Sequence, residues 1–202
     1  MDDIVRRGLA KWPNVPAVYG WLSLNRRGQW LIKGSRISNP LVAEFIGRNY
    51  ARDARGCWYF QNGPQRVFVD LEYAPFVLRA TSPEGAPLAL ATHTARQVAG
   101  VAGAWLDEDG TLVLGTAEGP GTIHDGDLER LLPSLVGADG NPLAEGALDE
   151  ALELAQRGQP ASLWLKYRGA ATRVDVIAAA DVPHRLGFVA RPVPPAGEEV
   201  CT

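Results

Sequence analysis

CWYFQNGPQRVFVDLEYAPFVLRA, residues 57–80, is the stretch that decides the fold. Two apolar runs, CWYFQ and QRVFVDLE, flank an Asn62-Gly63 turn signal, the pattern of a β-hairpin. In the second run Val67, Val69 and Leu71 point to one side and Arg66, Phe68, Asp70 and Glu72 to the other, because strand side chains alternate. An antiparallel sheet that is wet on one face requires this alternation, so most of the polar set reads as solvent-facing. Pro64 has no N–H for a ladder and belongs at the strand's start or edge. PFVLRAT and PLALAT, joined by Ser82-Pro83-Glu84-Gly85, read as one more hairpin.

Upstream, WLSL (21–24) and QWLIK (29–33) are strands joined by the turn Asn25-Arg26-Arg27-Gly28. Asn39 then caps a helix that begins at Pro40, whose missing N–H would be unpaired there anyway. Leu41, Val42, Phe45, Ile46 and Tyr50 give that helix one apolar face, and it should end near Asp53. At the N-terminus Ile4, Val5, Leu9 and Trp12 line one side of a short helix opened by Asp2 or Asp3. Its small apolar area favours docking on its own domain over lying on a membrane.

Downstream the element order recurs. AWLDEDGTLVLG (104–115) is again a strand, a turn ending in Gly and an apolar run. Leu128, Leu131, Leu132 and Leu135 form a helix divided at Pro133, and a second helix is expected from Asn141-Pro142 to Gly158. SLWLKYRGAATRVDVI (162–177) matches WYFQNGPQRVFVDL as Trp, apolar residues, a Gly turn and Arg-Val-x-Val. Aligning Trp58 with Trp164 and Arg66 with Arg173 gives offsets of 106 and 107 positions. The spacing predicts two tandem related α+β units, each a small, mostly antiparallel sheet on one or two helices. The expected boundaries are an N-terminal helix and linker at 1–19, units at 20–100 and 101–190, and a Pro- and Glu-rich disordered tail at 191–202.

GQWLIKGSRISNPLVAEFIGRNY followed by WYFQNGPQRVFVDLEYAPFV resembles a proteobacterial family of domains of unknown function. The matching elements are a Trp-x-aliphatic-x-Gly-Ser-x-Ile opening (Trp30 to Ile37), a Leu-Val-x-x-Phe helix (Leu41 to Phe45) and an acid-x-x-Pro-Phe hairpin end (Glu72 to Phe76). The likeness is good over residues 28–80. It implies a repeated α+β motif, no assigned reaction and a role in ligand sensing or signalling. Members carry a Thr-Pro-x-Glu step where this chain has Asn62-Gly63-Pro64-Gln65.

The chain has 202 residues, is 46% hydrophobic and 21% charged, and carries a formal net charge of −3. Lys and Arg form no dense block of the kind that neutralises nucleic-acid phosphates, so nucleic acid is not expected as a partner. Two distant cysteines, Cys57 and Cys201, point away from a disulfide framework and toward a cytoplasmic protein. The sequence shows neither a signal-peptide run nor a membrane-span run.

Candidate chemistry is sparse. GTAEGPGTIHDGD (115–127) reads as a Gly-rich connector rather than a phosphate loop, for it lacks Gly-Lys-Ser/Thr and Pro120 removes a donor. His124, Asp125 and Asp127 are close in sequence, but Asp before a helix is ordinarily a cap, so neither a metal nor a cofactor is expected. Cys57 reads as a buried apolar residue, and no catalytic residue is assigned. The six tryptophans read as core. Gln65, Arg66, Glu72 and Arg173 are the candidate ligand-binding residues, with a salt bridge from Arg66 to Glu72 or Asp70 as the structural alternative. The expected function is a small-molecule-binding or regulatory module, its cleft between the two units, with a small anionic ligand or a protein as partner. The rival is a hydrolase whose site is assembled from residues distant in sequence.

Overall fold

The computed structural model describes residues 1–12, 15–197 and 200–201. In chain order the elements begin with α1 (Asp3–Lys11), β1 (Ala17–Leu24), β2 (Trp30–Ile32), β3 (Ser35–Arg36), α2 (Pro40–Arg48) and β4 (Tyr50–Arg52). Next come β5 (Trp58–Asn62), β6 (Gln65–Leu71), β7 (Phe76–Ala80), β8 (Leu90–Thr92), β9 (Val101–Leu106), β10 (Leu112–Thr116) and β11 (Gly119–Ile123). The rest are α3 (Leu128–Leu131), β12 (Leu135–Val136), α4 (Ala147–Gln156), β13 (Trp164–Tyr167), β14 (Ala170–Val176), α5 (Val182–Arg185) and β15 (Val200–Cys201). No helix among the described residues is long and apolar enough to cross a membrane.

The chain divides into two compact units, Met1–Pro75 with Gly187–Thr202, and Phe76–Leu186. The first holds the sheet β3-β2-β1-β6-β5-β4, with β15 beside β1; the second holds β12-β13-β14-β9-β10-β11-β7-β8. Both have the same plan. A central parallel pair, β1–β6 or β9–β14, carries β2–β3 or β10–β11 on one flank and β5–β4 or β13–β12 on the other. The α+β class with two related units is therefore present in the strand order itself. The hairpin of β7 and β8, expected in a first unit reaching residue 100, instead extends the second sheet, because β11 offers an edge that β7 takes in parallel.

The turns follow from short polar signals. Asn25, Asp53 and Asp107 each use Oδ1 to accept the N–H groups two and four residues on, at 2.7–3.0 Å. Each loop closes through a glycine at positive φ: Gly28 at 73°, Gly56 at 85° and Gly110 at 80°. Asn39 caps α2 as expected, its side chain accepting from Leu41 N at 2.9 Å. The helix ends at Arg48 rather than near Asp53, since Asn49 caps it and Tyr50 enters β4. Tyr50 packs between Trp30 and Trp58, at centroid distances of 5.0 and 4.9 Å, whereas Leu41 and Val42 stay exposed. In α1 Val5 is the buried residue, while Ile4 and Trp12 are exposed, so the expected four-residue face is largely wet.

In the second unit α4 begins at Ala147, not at Asn141-Pro142. Asn141 closes a turn on Asp139, and Pro142 bridges to Val136, which holds that segment to β12 instead. The Gly-rich stretch is not a connector but β11, paired with β10. Gly121 has a structural reason, since a Cβ there would stand 2.9 Å from Leu78. Asp127, at the end of that stretch, is buried against Arg79 and Arg130.

The repeat register also shifts. Counting outward from the two-residue turns, Gln61 pairs with Arg66 and Lys166 with Ala171, an offset of 105 on both strands. Trp58 therefore corresponds to Leu163, and Arg66 to Ala171 rather than to Arg173. In the tail from 191, expected to be disordered, Pro192 is buried and β15 pairs with β1, whereas residues 193–197 are exposed. Glu198, Glu199 and Thr202 lie outside the described residues.

Candidate functional site

The opening hairpin has two unlike faces. On one, Val69 and Leu71 join the Trp30-Tyr50-Trp58 core. On the other, Phe68 is only 3% exposed and clusters with Ala17, Cys57 and Tyr59, so this face is wet only at its ends. Tyr19 stacks on Phe68 at 4.4 Å with an interplanar angle of 10°, and Tyr59 lies 5.8 Å from the same ring.

Two arginines stand over these rings. The Asp53–Gly56 turn delivers Arg55, whose Nε donates to Asp53 Oδ2 at 3.0 Å and whose terminal nitrogen donates to Tyr19 Oη at 3.4 Å. Its guanidinium lies 5.4 Å from the Phe68 ring centre. Those two hydrogen bonds, Tyr19 first and Asp53 next, hold the Arg55 pKa above its ordinary value, so the charge is fixed. Arg66 places its guanidinium 4.9 Å over Tyr59. Together Arg55, Arg66, Asp53, Phe68, Pro64 and Pro195 border a groove of about 410 Å³ in the first unit. Two guanidinium forks beside one carboxylate suit a small ligand bearing a carboxylate or phosphate.

The four residues singled out by sequence do not converge. Gln65 and Arg66 adjoin, with Gln65 Nε2 donating to Pro16 O at 3.1 Å. Glu72 lies at the far end of β6, roughly 20 Å along the strand at about 3.3 Å per residue. Its Oε2 accepts from Arg26 N at 3.0 Å, so the expected bridge to Arg66 does not form. Asp70 faces Arg191 instead; burial pushes its carboxyl up and Arg191 pulls it down. Asp70, Glu72 and Arg191 border a second hollow of about 420 Å³. Arg173 belongs to the second unit, where its Nε meets Asp175 at 3.5 Å.

Arg55, Asp53 and Tyr19 were not singled out by sequence. The available signal was Asp53-Ala54-Arg55-Gly56, the same acid-or-amide-x-x-Gly form as Asn25–Gly28 and Asp107–Gly110. Cys57 sits below the groove, where burial pushes its thiol up, against thiolate chemistry. His124 Nδ1 accepts from Gly126 N at 3.0 Å, a turn-closing role.

Comparison with known proteins gives a family and a fold. The model of the DUF2944 family, described as "Protein of unknown function (DUF2946)", matches residues 1–193. Among solved structures the chain is similar to a DUF1285 family protein from Silicibacter pomeroyi DSS-3, at 15% identity over 86% of this chain and 88% of that one, with a TM-score of 0.52. It also matches a DUF1285 family protein from Shewanella baltica OS155, at 16% identity over 57% of this chain and 90% of that one, with a TM-score of 0.39. The first likeness is one of fold. No curated protein matches the chain.

Proposed function

We propose that this chain, which belongs to the DUF2944 family of proteins of unknown function, is a binding or regulatory module for a small anionic ligand. The observation that carries the reading is the pair Arg55 and Arg66 over the Tyr19-Phe68-Tyr59 rings at the edge of a ligand-sized groove. Arg55 is already held by Asp53 and Tyr19, so it fixes the field, while Arg66 supplies an exposed fork for a carboxylate or phosphate. The reading assigns the protein to a reducing compartment, the cytoplasm, where the buried thiol of Cys57 stays free. A hydrolase using Cys57 is disfavoured by the burial that raises its thiol.

The test is a thermal-shift screen of purified protein against small carboxylates and phosphate esters, followed by calorimetry on each hit with Arg66→Lys. Lysine keeps the charge and loses the planar fork. Binding should weaken at least about tenfold, equivalent to about 1.4 kcal/mol, with the melting temperature of the free protein unchanged. Equal affinity of the two proteins for every hit would remove the groove from consideration. A large stability loss with no change in affinity would make Arg66 structural.

A further inference from the structure

The N-terminal half of β1 is an open sheet edge. β2 covers only Leu22, Ser23 and Leu24 on that side. Gly20, at φ 70°, and a register shift toward β6 between Val18 and Leu22 bend the strand before that point. The chain's own tail occupies the vacated edge: β15 runs parallel to β1, with Ala17 opposite Val200 and Val18 opposite Cys201. Upstream in the same tail, Pro195 borders the groove that holds Arg55 and Arg66. The intervening sequence carries two acids, Glu198 and Glu199.

We propose that the Ala17–Val18 edge and the adjoining arginine groove form a docking site for an extended acidic segment of a partner protein, held in cis by the chain's own tail. Strand addition suits such an edge, because main-chain hydrogen bonds supply affinity whatever the side chains. The two guanidiniums then select acidic residues just before the paired strand. A pairing of only two residues offers few hydrogen bonds against the entropy of ordering the tail, so the cis segment is exchangeable. The family match ends at residue 193: the edge and both arginines lie inside it, and the strand that pairs with the edge lies beyond. The strand contact is independent of the small-anion reading and shares with it only Arg55 and Arg66.

The probe is a fluorescein-labelled peptide with the sequence of residues 190–202, carrying Cys201→Ser. Its binding is followed by anisotropy to the wild-type chain and to a full-length Val200→Pro, Cys201→Pro variant, which removes both N–H groups of β15 without deleting the tail. The variant should bind at least about tenfold more tightly than wild type. Methylating the peptide amides at Val200 and Cys201 should abolish binding, and Glu198→Gln with Glu199→Gln in the peptide should weaken it at least about threefold. A chain ending at Val193 should behave as the released variant does. No binding by either altered chain overturns the proposal, as does binding indifferent to amide methylation, which would be charge attraction alone. A wild-type dimer that dissociates in the released variant would also overturn it, assigning the edge to the tail of a second copy. None of these results depends on a small-molecule hit, so the two readings fail separately.

Discussion

Acidification should weaken the second unit through His93. Its Nδ1 accepts from Val77 N at 3.3 Å, its ring lies 5.7 Å from Phe76, and its Nε2 is shielded from solvent. Part of the residue's surface is uncovered, but Nε2 is not, and Nδ1, which would take the proton, already accepts from Val77 N. Burial, aided by the Arg96 charge, lowers the pKa from 6.5 to about 3. Above pH 6.5 His93 is neutral in both folded and unfolded chains and contributes no pH dependence. As pH falls from 6.5 toward 3 the unfolded chain takes the proton and the folded one does not, so stability drops by about 1.4 kcal/mol per pH unit. At pH 4 the loss should be about 2–3 kcal/mol, allowing for partial solvent access. His93→Asn keeps an acceptor near Val77 N and cannot titrate. Urea unfolding at pH 7 and pH 4, followed by tryptophan fluorescence, should show the wild-type midpoint falling by about 1 M more than that of the variant, at about 2–3 kcal/mol per M. Parallel loss in both proteins would refute the assignment.

Two smaller tests probe the frame. Tyr167 Oη accepts from Leu90 N at 3.1 Å and donates to Val98 O at 2.8 Å, so Tyr167→Phe strands both and should cost about 2–4 kcal/mol by chemical denaturation. A loss below about 1 kcal/mol would mean that water or a shift of β8 repairs them. Gly56→Ala faces both a positive φ of 85° and a Cβ 2.7 Å from Gly187 O, whereas Gly20→Ala, at φ 70°, meets nothing within 4 Å. The first should lower the melting temperature clearly more than the second, whose cost is about 1 kcal/mol of backbone strain. Equal shifts would show that the 187–190 segment yields freely.

What the sequence determined by itself is local. The Asn25, Asp53 and Asp107 turns, the Asn39 cap, the divided helix at Pro133 and the alternating strand of Val67, Val69 and Leu71 all follow from one residue's φ range or one side chain's reach to its own backbone. Such features need no knowledge of distant residues. The α+β class was legible for that reason; the two-unit plan was read from the recurring element order and the Trp and Arg-Val-x-Val matches, whose register the pairing then shifted.

Tertiary structure decided which distant strands meet. The parallel pairs β1–β6, β7–β11 and β9–β14 join segments separated by tens of residues, and no turn dictates them. Their partners are chosen by which apolar face must be covered and which edge is left open. That choice moved the 76–92 hairpin into the second sheet and brought the tail to β1. It also sorted the candidate site. Arg66 lies near the start of β6 and Glu72 just past its end, so strand rise holds them apart and proximity in sequence could not make them a pair. Arg55 and Tyr19, 36 residues apart, meet because β1 lies against β6 and the Asp53 turn ends at β5. A hydrophobic pattern specifies that a face is buried, not what buries it, and the groove is a product of the second choice.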